Sequence, residues 1–354
     1  MIETLEATRA LNHAKWAFTT RRVPRSLAAS MHRHWAVARP GDLVAAEVVA
    51  LGQHTGLQLA QGRRAELYVG DRIVACLGNR YAPDQFEGMA RIVEGQLDLI
   101  AAGGVVGTVV EAHARMDEPT RLRPLGVLCD ASRQALNVSR FGLVPERATR
   151  RPPVIAVLGT SMNAGKTTAV AAVVQGLARA GLRVGAAKVT GTGAFADLQA
   201  FADAGAAEVV DFTDFGHATT YLAGAEAVER VLEASLDHLD DCDAIVIEIA
   251  DGLFQRETAA LLRAPAFAAA VDGVLFAAPD ALSAVHGAGL VMGAGLPLLA
   301  VGGLLTMSPL GTREARRELT VPVYTRAELC DPETGRSLLA HLRPRAGARL
   351  DVAA

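Results

Sequence analysis

The sequence is poor in cysteine and in aromatic residues, and it lacks a hydrophobic run long enough to cross a membrane. Its four cysteines lie far apart and form no C-x-x-C pair, which argues against a disulfide framework and a cysteine zinc site. Gly, Pro, Asp and His repeatedly break the most apolar region, residues 271–305, so no membrane contact is expected. The N-terminus has no apolar signal-peptide core, and we therefore expect a cytoplasmic protein.

Lysine is also scarce, because arginine supplies all but three of the 35 basic residues. Lysine is a compact point charge and arginine a planar fork, so the two are not interchangeable at a phosphate. Lys166 lies in a glycine-containing loop, and Lys188 ends a predicted strand. Both are therefore candidates for a phosphate site. The alternative for Lys188 is a solvated strand end.

Charge and length limit the possible classes of protein. The formal net charge is −3, with +4 over residues 1–150 and −7 over residues 151–354, and neither half has the basic character typical of nucleic-acid binding. The densest basic run, residues 21–39, is interpreted as an exposed helix face or domain contact, with an arm for an anionic ligand as the alternative. A length of 354 residues with 51% hydrophobic content predicts two globular domains.

The stretch from Val154 to Val170, VIAVLGTSMNAGKTTAV, predicts a strand, a phosphate-binding loop and a helix. Glycines let the backbone approach a polyphosphate closely, and the start of a helix directs unpaired N–H groups at it. Lys166 is expected to reach the outer phosphates, and the Thr167 hydroxyl is expected to hold Mg²⁺. The predicted nucleotide-binding residues are Gly159, Thr160, Asn163, Ala164, Gly165, Lys166, Thr167 and Thr168.

Strands and helices alternate through the second half, which predicts a mostly parallel sheet with helices on both faces. Ligands of such sheets bind at the carboxyl ends of the strands. The apolar strand that begins at Asp243 ends in Glu248, a carboxylate suited to a metal site. Asp251 is the second choice as metal ligand. Asp197 follows the second strand, either as a site residue or as an N-cap of its own helix.

The first half has a different period. Short alternating runs separated by Gly-containing turns begin at Gly41 and predict a small antiparallel barrel or sandwich. Residues 78–87 form a polar loop, either for binding or as an ordered surface loop. The predicted organisation is an N-terminal helical arm (1–40), a barrel-like β domain (41–144), a linker (145–153) and a P-loop domain (154–354).

The longer loop pattern, GTxxxxGKT, resembles that of dethiobiotin synthetase and of the molybdopterin-guanine dinucleotide adaptor proteins, over residues 154–324. The resemblance implies that Glu248 binds Mg²⁺ or its water and that Asp197 corresponds to an acid of the adaptor proteins. It also places the substrate or switch loop at His217, Thr219, Thr220 and Tyr221. Residues 161–163 read Ser-Met-Asn where dethiobiotin synthetase has an Asp-Thr pair, so its substrate is not implied.

Two further stretches, AAKVTGTG and VIEIADGLFQRE, resemble the P-loop half of the family that contains D-glutamate N-acetyltransferase, which is associated with acetyl-CoA. Three functional hypotheses follow. The first is a Mg-ATP-dependent enzyme that phosphorylates or activates a small molecule, with Lys166, Lys188 and Asp197 as catalytic residues. The second is a nucleotide-dependent adaptor whose β domain binds a partner protein. The third is a CoA-dependent acyltransferase.

ATP is favoured over GTP because no Asn-Lys-x-Asp motif is present. A base-reading loop is expected at residues 306–310. The relatives are usually dimers, so the resemblance implies a homodimer.

Overall fold

The computed structural model describes residues 11–342, which form two compact units. The first unit comprises residues 11–145 together with Thr190–Leu198 and Val210–Val231, and the second comprises the remaining described residues. The first unit thus includes two segments from the second half of the chain, whereas the sequence predicted domains that follow one another along the chain. No helix within the described range is long and apolar enough to span a membrane.

The first unit is mainly β-structure. Its longest pairing path runs β1-β6-β3-β10-β8-β9-β7, and β6 also pairs with β9, so that β6, β3, β10, β8 and β9 close a ring. The barrel-like domain predicted from the alternating pattern is confirmed. The strands are β1 (Lys15–Trp16), β2 (Ser30–His32), β3 (Leu43–Ala50), β4 (Gly56–Gln58), β5 (Arg64–Glu66), β6 (Arg72–Leu77), β7 (Phe86–Met89), β8 (Leu97–Ala101), β9 (Val105–Ala112) and β10 (Thr120–Cys129).

Successive side chains of a strand point to opposite faces, and β3 shows how this builds two cores. Val44, Ala46 and Val48 belong to one hydrophobic cluster. Leu43 and Ala45 belong to a second. Because both faces are covered, β3 is apolar along most of its length rather than strictly alternating.

The predicted N-terminal arm lies partly outside the described residues. Within residues 11–40, Leu11 is α-helical and the other helical pieces are three 3-10 helices, Phe18–Thr20, Arg25–Leu27 and Trp35–Val37. The strands β1 and β2 join the barrel sheet instead. Backbone pairing explains the difference, since the Ala17 N–H donates to the Val74 carbonyl at 2.9 Å.

The second sheet has the order β13-β12-β14-β11-β15-β16, and the registers among β12, β14, β11, β15 and β16 are parallel. Every residue of β11, β12, β14 and β15 is buried, as in a parallel sheet covered on both faces. The strands are β11 (Val154–Gly159), β12 (Val184–Lys188), β13 (Glu208–Asp211), β14 (Ala244–Glu248), β15 (Gly273–Ala277) and β16 (Leu298–Gly302).

Helices flank this sheet, and the mixed α/β fold class predicted from the sequence is confirmed. The first helix after β11 packs Val170, Val173 and Leu177 against Ile155 and Val157 of that strand. The helices are α1 (Lys166–Arg179), α2 (Phe195–Asp203), α3 (Ala225–His238), α4 (Arg256–Arg263), α5 (Pro265–Ala270), α6 (Ala281–Gly293), α7 (Pro309–Glu318), α8 (Arg326–Leu329) and α9 (Pro332–Ala340).

Candidate functional site at the carboxyl edge of the parallel sheet

The predicted phosphate loop lies between the end of β11 at Gly159 and the start of α1 at Lys166. Asn163 has a φ of 61° and Gly165, the N-cap of α1, has a φ of 96°. These left-handed residues turn the chain so that it enters α1 directly after the loop. The amide N–H groups of the first turn of a helix have no partner inside that helix. The loop thus presents backbone donors, which is the arrangement that binds phosphate.

Neighbouring strand ends hold this loop in place. The Thr160 N–H donates to the Ala277 carbonyl at 3.1 Å, and the Leu304 N–H donates to the Ala164 carbonyl at 3.1 Å. A Cβ on Gly165 would lie 3.1 Å from the Leu304 nitrogen and from the Gly303 Cα. Both the positive φ and the close backbone therefore favour glycine at position 165.

Lys166 is 5% exposed, and its ammonium group donates to the Ser161 carbonyl at 2.7 Å. The side chain folds back along its own loop, so the charge lies within the span that would surround a phosphate. Thr167 is half-buried and Thr168 is exposed. The Thr160 hydroxyl is buried without a hydrogen-bond partner among the described residues.

Lys188 and Glu248 meet at the same edge of the sheet. They are direct neighbours in the parallel register of β12 and β14, and their Nζ and Oε1 atoms lie 3.4 Å apart. The two side chains are 11% and 2% exposed. The prediction that strand ends converge is confirmed for this pair. Lys188, which was predicted to face the substrate or the γ-phosphate, is thus also the neighbour of Glu248, the predicted metal ligand.

Glu248 retains an open acceptor. Its Oε2 atom is buried and has no hydrogen-bond partner in the described part of the chain. A buried carboxylate oxygen without a donor is costly unless a ligand, ion or water satisfies it. Over residues 11–342 there is no group of three or more His, Cys, Asp or Glu side chains that could hold a metal. A single carboxylate such as Glu248 fits Mg²⁺, which binds one or two protein oxygens and completes its shell with phosphates and water.

The turn after β14 packs on the phosphate loop. A Cβ on Gly252 would lie 2.3 Å from the Thr160 carbonyl oxygen, so only glycine allows this approach. Asp251, the second-choice ligand, is half-buried in the same turn, and the Ala250–Asp251 peptide is cis. Glu248 and its turn therefore border the loop, as predicted from the strand-end position.

The other predicted residues belong to the first unit. Asp197 lies in the first turn of α2, and its assignment to the phosphate or substrate stays a prediction. The Thr220 hydroxyl accepts a hydrogen bond from the Gly191 N–H at 2.8 Å. The Tyr221 hydroxyl donates to a Glu87 carboxylate oxygen at 2.7 Å.

Two features of the second unit were not predicted. The segment expected to read a base contains a 3-10 helix, Leu304–Met307, whose first residue bonds to the phosphate loop. A cavity of about 320 Å³ lies beside α1 and includes Thr168, Gln175, Asp203 and Arg326 in its lining. The Gly302-Gly303 pair at the end of β16 was the available sequence signal for the first feature. No sequence signal predicted the cavity, because its wall combines helices that are far apart in the chain.

Comparison with known proteins does not identify a family for this chain. No family model matches it, and neither does any curated protein. The signal recognition particle receptor FtsY of Elizabethkingia anophelis is 18% identical with a TM-score of 0.38, covering 57% of this chain and 70% of that one. A nucleotide-binding protein of Archaeoglobus fulgidus in complex with ADP is 14% identical with a TM-score of 0.36, covering 52% and 87%.

A third solved structure is the septum site-determining protein MinD of Pyrococcus horikoshii, complexed with Mg-ADP. It is 17% identical with a TM-score of 0.34, covering 54% of this chain and 87% of that one. At these TM-scores the likenesses identify no activity for this protein. The residues at the carboxyl edge of the second sheet are therefore the basis for the function proposed below.

Proposed function

We propose that the second unit binds Mg-ATP, in preference to GTP, and that the protein uses it to phosphorylate or activate a small molecule. The observation that carries the proposal is the loop between β11 and α1. It has two left-handed residues, a buried lysine that folds along it, and a neighbouring buried carboxylate with an open oxygen. Phosphoryl transfer depends mainly on positioning and on stabilising charge, which this set of groups supplies.

Each residue has a distinct part in this proposal. The loop amides and Lys166 bind and orient the phosphates, while Thr167 and Glu248 hold the metal ion or its water. When bound, Mg²⁺ neutralises charge on the phosphate oxygens. Lys188 limits the negative charge at Glu248 and can donate to the outermost phosphate. No separate nucleophile is required of the protein.

Calorimetric titration with Mg-ATP, Mg-GTP and acetyl-CoA tests the proposal. Lys166→Ala is expected to abolish binding of the nucleotide, whereas Arg317→Ala, an exposed arginine of α7, is the matched control and is expected to bind normally. Nucleotide binding should require Mg²⁺ and weaken in Glu248→Gln. Binding of acetyl-CoA alone would overturn the ATP proposal in favour of an acyltransferase.

We also propose that the protein forms a homodimer through the carboxyl edge of the second sheet. Large apolar side chains are exposed in segments that follow β14, β15 and β16. Phe254 is 80% exposed, and Leu282 and Met307 are each 81% exposed. Exposed apolar groups that cluster at one edge indicate an interaction surface. Light scattering should show twice the monomer mass, and Leu282→Glu with Met307→Glu should reduce it to the monomer mass; a wild-type monomer would exclude the dimer.

A further inference from the structure

The first unit contains a cavity of about 710 Å³. Four parts of the chain contribute to its wall: residues 32–42, the end of β6 with the residues that follow it (77–79), the segment 134–140, and residues 216–230. The last segment comes from the second half of the chain. Two stretches singled out independently in the sequence meet here, since Asn79 comes from the polar loop at 78–87, and His217 and Thr219 come from the predicted substrate loop.

The charges of the wall are predominantly positive. Arg39, Arg140 and Arg230 line the cavity, and the acid among the lining residues is Asp42. Asp42 is 5% exposed, and its carboxylate accepts hydrogen bonds from the Arg39 N–H and from the Asn137 amide, both at 2.8 Å. These bonds satisfy the Asp42 carboxylate within the wall. The cavity therefore has an excess of positive charge.

The three arginines are not equivalent. Arg140 donates to an Asp130 carboxylate oxygen at 3.0 Å and to the Ala135 carbonyl at 3.0 Å, so its charge is already compensated. Arg230 has one carboxylate neighbour, Glu226, at 3.8 Å, and both side chains are largely exposed. An exposed ion pair of this kind contributes little. Arg39 is exposed, and its guanidinium group makes no ion pair within residues 11–342. Arg39 and Arg230 are therefore the cations available to a ligand.

His217 adds a neutral group to this positive surface. Burial lowers the pKa of its imidazole, and the charge of Arg230 lowers that pKa further. The ring is therefore neutral at physiological pH, with one N–H donor and one acceptor nitrogen. Its nitrogens make no hydrogen bond within residues 11–342. The wall near Arg230 thus offers a guanidinium and a neutral imidazole at one place.

Part of the remaining lining is apolar and buried, for example at Leu77, Ala218 and Ala227, and Gln134, Ser139 and Thr219 add uncharged polar groups. A concave site with an apolar body and a few polar groups is typical of small-molecule binding, and its volume lies in the usual range. We propose that this cavity binds a small organic anion with a carboxylate or phosphate group, held by Arg39 and Arg230 beside His217. The proposal goes beyond nucleotide binding and does not depend on it.

Calorimetry at low ionic strength tests the site with succinate, citrate and glycerol 3-phosphate as probes. Succinamide is the uncharged control, because it keeps the carbon chain of succinate and loses both charges. At least one anion is expected to bind and succinamide is not. Arg230→Gln and Arg39→Gln are each expected to weaken binding about tenfold or more, as for a charge-assisted hydrogen bond. Added salt should weaken it further.

Arg317→Gln in α7 is the matched control and should bind the anion normally. Lys166→Ala should also bind it normally, so failure of this site and failure of the nucleotide site are distinguishable. Histidine NMR locates the ligand, since the resonance absent from His217→Gln should shift on binding. The proposal is overturned if none of the probes binds at millimolar concentration, if succinamide binds equally well, or if neither arginine substitution changes the affinity.

Discussion

The buried pair of Lys188 and Glu248 makes a quantitative prediction. At a separation of 3.4 Å, two unit charges attract by about 5 kcal/mol at an effective dielectric constant of about 20. Desolvation offsets much of this attraction when both partners are present. Removing one partner is different, because the other charge stays buried. Lys188→Met should therefore lower the free energy of unfolding by about 3 kcal/mol or more.

The two single substitutions are not expected to be equal. Lys188→Met leaves a carboxylate that is 2% exposed and already has one oxygen without a donor. Glu248→Gln leaves an ammonium group on a side chain that is 11% exposed, and this group can reach water more easily. We expect the lysine substitution to be the more destabilising. The double variant should be more stable than the sum of the single effects predicts, by about 2 kcal/mol.

Urea unfolding followed by far-UV circular dichroism measures these differences. Both tryptophans of the chain, Trp16 and Trp35, lie in the first unit. Native tryptophan emission in each variant therefore serves as a control for the fold of that unit. If the effects of the single substitutions add within about 0.5 kcal/mol, the two charges do not interact in solution, and the geometry of the site is wrong.

Three further predictions concern the loop, the pH dependence and the division of the chain. Gly165→Ala should lower the free energy of unfolding by about 2 kcal/mol and abolish Mg-ATP binding. Gly181 has a φ of 91° with open space around it, so Gly181→Ala should retain binding in the same titration. Equal loss of binding in both variants would contradict the role of the close backbone. Burial lowers the pKa of His54 to about 4. The stability that this neutral imidazole contributes above pH 6.5 should therefore be lost as the pH falls toward 4, by about 3 kcal/mol. His54→Asn should flatten this part of a urea-unfolding pH series, and an unchanged slope would refute the prediction. A fragment of residues 1–145 should fail to unfold cooperatively by circular dichroism, because it lacks two segments of the first unit; a cooperative transition would contradict this.

Local patterns predicted the local structure well. The apolar run of β11, the loop and the start of α1 are each specified by neighbouring residues, and the structure has them at Val154–Gly159 and Lys166. The approach of Lys188 and Glu248 followed from a general rule of parallel sheets. Their direct register could not be predicted, because it requires the strand order, and no local period encodes which strands are neighbours.

The sequence could not predict which segments belong to which unit, because no local pattern encodes the partners of a segment. Residues 190–198 follow β12 and residues 210–231 begin at the end of β13, yet both segments belong to the first unit. The period of a segment shows which face is buried, and it does not identify what covers that face. Likewise, the sequence predicted either an exposed helix face or a domain contact for basic residues 21–39, and it could not identify the partners of Arg21 and Arg22, which are acids from the second half of the chain within the first unit.

These charges indicate how the cavity wall is held in register. Arg21 donates to Asp214 at 2.7 Å and lies 3.3 Å from Asp211, and Arg22 donates to Asp214 at 2.9 Å. Both acids are buried, so the cluster contributes less to stability than its short distances suggest, because desolvation opposes it. We infer that the cluster acts mainly on specificity, because an apolar cluster of similar volume would not require one particular pairing, whereas Asp214 pairs with two particular guanidinium groups. Since His217 follows Asp214 by three residues, fixing Asp214 also fixes where the imidazole of His217 meets the cavity.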